Sequence, residues 1–212
     1  LELTRSSVKL AVASLTIGSA SAAAVLTDKE LSRGQTRLVA AAGGAFTDHN
    51  HLCRSGRDEA AADGMRPLMS TDSEALLDAG IAAAEVCFQH FLQATDWHRS
   101  EIDKTCCHQV GQAHRRATLD RLRLLMDNDF TTYEWLGNTG SVALPVTLAL
   151  AAEREALRGG EQVGLLGIGS GINCLMLGVD WQRVAVSGRG TPDSSAVGTS
   201  GAANQRFFEL TA

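Results

Sequence analysis

The chain has 212 residues, 44% of them apolar and 20% charged, with a net charge of −5. That length builds a sizeable core in one large domain or two small ones, and lysine and arginine form no patch that points to nucleic acid. No apolar run reaches the roughly 18–20 residues that cross a bilayer, and five irregularly spaced cysteines make no disulfide framework, so a reducing, cytoplasmic setting is expected.

The opening Leu1-Glu2-Leu3-Thr4-Arg5 has neither an initiator Met nor a signal-peptide pattern and reads as an interior start. Residues 8–26 carry Val8, Leu10, Val12, Leu15 and Ile17, then a Gly/Ser/Ala tract into Ala22-Ala23-Ala24-Val25-Leu26. Small residues in such a tract let a strand approach a neighbouring backbone closely. Residues 37–42 are a second strand candidate, and the polar stretch 47–70 reads as a long loop. A helix follows: Thr71 and Glu74 have capping-box spacing, and Leu77, Ile81, Ala84, Phe88 and Phe91 form one stripe.

Lys104-Thr105-Cys106-Cys107 is a short strand ending at His108, and Leu119, Leu122 and Leu125 with Met126 mark another amphipathic helix. Residues 130–135 are strand-like and lead to Gly137-Asn138. Residues 142–152 are apolar on nearly every side, so that helix should lie between layers, with more apolar surface than one sheet covers. Residues 162–166 and 173–179 flank a glycine turn as a hairpin. Strand–helix alternation over 71–179 argues for an α/β layered fold. Residues 184–205, rich in Gly, Ser, Ala and Thr, read as disordered, while Phe207 and Phe208 are free to dock back.

Two Cys/His groups invite a metal reading: His49, His51 and Cys53, and Cys106, Cys107, His108 and His114. Neither has the paired spacing of structural zinc. Adjacent strand residues also point to opposite faces, so Cys107 and His108 do not readily share one ion. No metal is expected. A reactive cysteine needs a helix N-terminus or a cationic neighbour. Only Cys53, in a loop before Arg54, approaches that setting, as a residue lining a site rather than as a nucleophile.

Three motifs stand where apolar runs break into glycine or helix: His108-Gln109-Val110, Gly137-Asn138-Thr139-Gly140 with Pro145 beyond, and Gly167-Ile168-Gly169-Ser170-Gly171-Ile172-Asn173-Cys174. Together they deliver a His, an Asn and exposed backbone N–H groups, a donor set suited to negative charge on a thioester carbonyl. In this order they resemble the C-terminal half of a thiolase-superfamily condensing enzyme. The OleA type, which joins two fatty acyl-CoA molecules in bacterial long-chain olefin biosynthesis, is the nearest resemblance, and β-ketoacyl-ACP synthase III is more distant. Leu15-Thr16-Ile17-Gly18 with Ala22-Ala23 resembles the strand closing the family's N-terminal half, and Asn50-His51-Leu52-Cys53-Arg54 a stretch early in the C-terminal half.

The resemblance covers residues 8–181 and implies a thiolase-like layered fold. Residues 1–30 would end the N-terminal half, 31–181 form the C-terminal half, and 182–212 make a disordered tail. It further implies a Cys-His-Asn site in which a helix-borne cysteine takes the first acyl group. His108 and Asn138 match the family's His and Asn, which hold the second thioester as it becomes an enolate. The Ser170 backbone N–H matches an oxyanion-hole donor. The nucleophilic cysteine, its helix, the acid/base glutamate of the OleA type and the strand of the family's dimer interface would all precede Leu1. Leu136 stands where a histidine is common, and Ala20 where glycine is preferred. Acyl-CoA is implied as substrate with no cofactor, and a complementary N-terminal half or subunit as partner. The rival readings are a synthase III-like decarboxylative enzyme and a non-catalytic partner subunit.

Overall fold

A computed structural model describes the chain over residues 15–32, 34–55, 69–187 and 208–211, with backbone alone at 54–55, 69–70 and 208–211. Eight strands are described: β1 Ala24–Thr27, β2 Arg37–Ala45, β3 Cys53–Ser55, β4 Met69–Thr71, β5 Lys104–Cys107, β6 Gln162–Gly169, β7 Asn173–Asp180 and β8 Phe208–Thr211. Strands β3 and β4 pair with each other, and the rest form one six-stranded sheet in the order β1-β8-β2-β7-β6-β5. The β6–β7 hairpin is antiparallel, with Gly169 opposite Asn173, while β5 runs parallel to β6, with Cys107 opposite Leu166. Strand β2 lies antiparallel to β7 with a bulge between Leu38 and Ala40.

The longest helix, α1 (Ser73–Thr95), is started by Asp72, whose carboxylate accepts from the Ala75 amide at 3.1 Å. Asp96, in the left-handed region at φ 57°, closes it. The cap is thus Asp72 rather than Thr71, which is buried in β4. Of the expected stripe, Ala84, Phe88 and Phe91 are buried. They form a core with Ala42, Cys107, Leu119, Leu122, Leu166 and Met176. At Gly178 a Cβ would come within 2.6 Å of Thr95, so this helix end sits against the sheet only because β7 has no side chain there. By length and composition α1 is also apolar enough to cross a membrane, with a mean hydropathy of 1.3 over its best window. No uninterrupted apolar run marks it, because Asp78, Glu85, Gln89 and His90 break the run while the mean stays high.

The second core lies on the other sheet face, because neighbouring strand residues point opposite ways. Cys106, Val163, Leu165 and Val179 pack there with Leu148, Ala151, Leu157 and Trp181. Its helix, α4 (Ala143–Glu153), follows α2 (Gln112–Leu122) and the single turn α3 (Tyr133–Leu136). Every residue from 142 to 152 is buried or half-buried. None of these residues is exposed, so the excess of uncovered apolar surface expected of this helix is not seen. The large exposed apolar residues lie elsewhere, including Leu15, Ile17, Leu26 and Leu31 ahead of β2, and Leu175 on β7.

Other expectations need correction. Residues 18–23 form no strand, and Ile17 makes only an isolated bridge to Asn138; residues 1–14 lie outside the described chain. The stretch 47–70 holds a 3-10 helix, Thr47–Leu52, and the β3–β4 pair. Helix α2 stops at Leu122, where Arg123 turns left-handed at φ 54°, leaving Leu125 exposed. Residues 130–135 are not a strand, since Gln109 caps the turn α3 instead. Phe208–Thr211 is the strand β8 rather than tail, while 188–207, including Phe207, lie outside the described residues.

Candidate functional site

The position of His108 follows from β5. Its backbone amide continues the parallel ladder to the Leu166 carbonyl at 2.9 Å, so the imidazole leaves the sheet at the strand's C-terminal end. A buried carboxylate braces that end: Asp129 accepts from the Thr105 hydroxyl at 2.8 Å, from the Cys107 amide at 3.1 Å and from Arg115 at 2.7 Å. Burial pushes the Asp129 carboxyl up, while Arg115 and the hydrogen bonds pull it down. Burial, with Asp129 next, also drives the Cys106 and Cys107 thiols well up. Both cysteines are packing residues, not thiolates. Burial first, and His114 second, holds His108 down at about 4. The ring is therefore neutral near pH 7, with one nitrogen able to donate a hydrogen bond and the other to accept one.

Asn138 is gripped from both sides by the segment before β1. Its amide donates to the Thr16 carbonyl at 2.8 Å, and its carbonyl accepts the Gly18 amide at 2.8 Å. Two glycines permit this approach. A Cβ on Gly18 would lie 1.7 Å from the Leu136 oxygen, and one on Gly137, at φ 66°, would lie 2.6 Å from the Thr16 oxygen. The side-chain Oδ1 of Asn138 accepts the Gly140 amide at 2.9 Å. A backbone amide can only donate, so this bond settles which amide atom is which and leaves Nδ2 as the donating end.

The β6–β7 turn supplies the third group. Ile172, fully buried, exchanges main-chain hydrogen bonds with Phe46 at 2.7 and 3.0 Å, and Asn173 Nδ2 donates to the Ser170 carbonyl at 2.9 Å. Ser170 is thereby held on the rim, its hydroxyl 3.2 Å from Cys53 Sγ. His108, Asn138 and Ser170 line one open cleft of about 590 Å³ with Ile17, Leu144 and Leu175. Among the described residues no group of three His, Cys, Asp or Glu side chains suits a metal ion.

Residues 92–181 match the family described as 3-oxoacyl-acyl-carrier-protein (ACP) synthase III, C terminal. An acyl-CoA:acyl-CoA alkyltransferase of Shewanella oneidensis is 41% identical over 173 residues, covering 80% of this chain and 50% of the relative. One of the same name from Xanthomonas campestris is 32% identical over 170 residues, covering 80% and 48%. A solved structure of Xanthomonas campestris OleA, a cysteine-to-serine variant with bound lauric acid and lauroyl-CoA, aligns with a TM-score of 0.71 at 28% identity, covering 85% of this chain and 51% of that one. The chain is a homologue of the OleA-type condensing enzymes.

It spans about half the length of the curated relatives it matches. With the thiolase-like layered fold of those OleA-type relatives, three of the four expected site residues meet in one cleft, and Cys53 stands behind Ser170. The groups that hold them are Gln109, the Asp129–Arg115 pair, and Gly18 opposite Gly137, none of which the sequence assigns a holding role. A signal was present for the first, since Gln109 directly follows His108, and a polar residue beside an apolar strand needs partners when buried.

Proposed function

We propose that this chain supplies the enolate-stabilising half of an OleA-type site, for non-decarboxylative Claisen condensation of two long-chain acyl-CoAs. Residues 1–30 would complete the N-terminal half, 31–181 form the C-terminal half, and the assembled enzyme would be a cytoplasmic dimer. The observation that carries the reading is the shared cleft of a neutral His108, an Asn138 with its Nδ2 end free of the Gly140 bond, and the Ser170 turn.

In this reading the complementary half brings a cysteine thiolate that attacks one acyl-CoA, expels CoA and becomes a thioester. A carboxylate of that half removes an α-proton from the second acyl-CoA. His108 and Asn138 donate to the enolate oxygen as charge develops. The enolate carbon attacks the cysteine thioester, whose oxyanion the Ser170 N–H receives, and collapse expels the thiolate. One β-ketoacyl-CoA forms per CoA released. Preorganised donors at such an oxygen matter most, and losing one typically costs roughly 10²–10³ in rate.

The test combines the chain with the N-terminal half of the Shewanella relative and a long-chain acyl-CoA, reading free CoA and β-keto product. Product should need both halves and fall by roughly 10²–10³ in His108→Ala and Asn138→Ala. Wild-type rates in both variants would sink the assignment. Product only when malonyl-ACP is added would favour synthase III-like decarboxylative chemistry, which the C-terminal match at 92–181 also supports. No product under any condition would leave a non-catalytic partner.

A further inference from the structure

Gln109 is 1% exposed, an unusual place for an uncharged polar side chain unless its hydrogen bonds are made. They are made to two different elements. Nε2 donates back to the Cys107 carbonyl at the end of β5. Oε1 accepts the Thr132 amide at 2.7 Å and the Tyr133 amide at 3.1 Å. Thr132 is the N-cap of α3, and its own side chain makes no capping bond. The hydroxyl of Thr132 instead pairs with that of Thr147, 2.8 Å away on α4. Gln109 is therefore the side chain that answers the first amides of this helix, reaching across from the segment just after β5.

That matters because α3 is a single turn of four residues, Tyr133–Leu136. A turn this short does not sustain itself, since helix nucleation costs more than one hydrogen bond returns. Its place is set by its anchors. Directly after it come Gly137 and Asn138, while directly before Gln109 comes His108. We propose that Gln109 is a positioning residue that fixes the Asn138 donor relative to the His108 donor. The proposal rests on the reading of those two side chains as a donor pair. An amide suits the task because it donates at one end and accepts twice at the other. A carboxylate keeps the acceptors but repels the Cys107 carbonyl, and a thioether of the same length keeps only the volume.

The experiment uses Gln109→Met and Gln109→Glu, each combined with the Shewanella N-terminal half, alongside His108→Ala and Asn138→Ala. Misplacement of a reacting group by about 1 Å costs up to roughly 10² in rate. Gln109→Met should therefore lower kcat by about tenfold or more with KM for acyl-CoA within about twofold, the mark of an interaction felt in the transition state. Gln109→Glu should fall between it and the wild type. In the chain alone, NMR should show faster amide exchange at Thr132 and Tyr133 and a shifted Asn138 side-chain amide in both variants. This readout survives even if the assembled enzyme proves inactive.

Unchanged kcat in Gln109→Met, while His108→Ala and Asn138→Ala lower turnover by roughly 10²–10³, would overturn the positioning role and spare the donor pair. Wild-type rates in those two alanine variants would remove the donor pair itself. A loss of melting temperature with an unmoved Asn138 amide and unchanged kcat would reduce Gln109 to a helix cap. If Gln109→Met does not fold, the same criteria apply to Gln109→Glu.

Discussion

Gly18 and Asn138 are bonded main chain to main chain, the Gly18 amide reaching the Asn138 carbonyl at 2.8 Å. The absence of a side chain on Gly18 is a condition of that bond, because a Cβ would sit 1.7 Å from the Leu136 oxygen. No backbone oxygen can yield that much in place. Gly18→Ala should detach the segment from the Asn138 loop and cost about 1–3 kcal/mol of stability, the usual penalty for overpacking. Urea unfolding measures the cost. A variant as stable as the parent, with Asn138 undisturbed by NMR, would show that the loop does not depend on this contact.

The depressed pKa of His108 sets a pH dependence of stability. Unfolded, the imidazole titrates near 6.5, and folded it is held at about 4. The unfolded chain thus takes up the proton first, so stability falls as pH drops from about 6.5 to about 4, and above that window the group contributes no slope. Burial shifts His114 in the same direction. Urea midpoints across this window should fall less steeply for His108→Asn than for the parent. Parallel slopes would show that His108 is not buried in its neutral form.

The Asp129–Arg115 pair also bears on stability. The Asp129 side chain is fully buried and Arg115 17% exposed, with 2.7 Å between the charged atoms. Breaking such a pair from one side strands the other charge, at about 3–5 kcal/mol. Arg115→Met should lose close to that amount. Asp129→Asn should lose less, since the amide oxygen still accepts from Thr105 or the Cys107 amide. Equal and small losses in both would mean that the pair contributes little to holding the end of β5.

Of the five cysteines, Cys87, Cys106, Cys107 and Cys174 are buried, and Cys53 is half-buried beside Ser170. A thiol reagent applied to the native chain should label one cysteine rapidly and the others only after unfolding. Mass spectrometry should place that label on Cys53, and Cys53→Ser should abolish it. Rapid labelling at Cys107 would contradict the packing around β5.

Much of this arrangement was legible in the sequence because the signals were local. The strand ending at Cys107 and the Gly169–Asn173 turn rest on apolar runs broken by glycine, and the structure has both. Residues 130–135 have a strand-like sequence because Phe130, Thr131, Thr132 and Tyr133 have strand propensity, while the bond that bends them comes from Gln109, distant in the chain. Residues 15–23 look like a strand for a related reason. A run of small residues suggests close backbone approach, but not whether the approach builds a ladder or clamps one loop, as Thr16 and Gly18 do around Asn138. The cleft's groups were nameable one by one. What holds them at fixed separations is long-range and left no periodic trace.

The register of β2 against β7, from Arg37 opposite Asp180 to Ala45 opposite Asn173, sets a timing problem during synthesis. Strand β2 leaves the ribosome well before β7, which lies beside it in the finished sheet. For that interval it is an open template for other chains. Its sequence, Arg-Leu-Val-Ala-Ala-Ala-Gly-Gly-Ala, suits the wait. Glycine and alanine have weak strand propensity and little apolar surface to interlock with a neighbouring copy. Branched residues at Ala40 and Ala41 would strengthen the sheet once closed, yet make the nascent chain prone to pairing with the wrong partner, a trade that expression yield of such variants would expose.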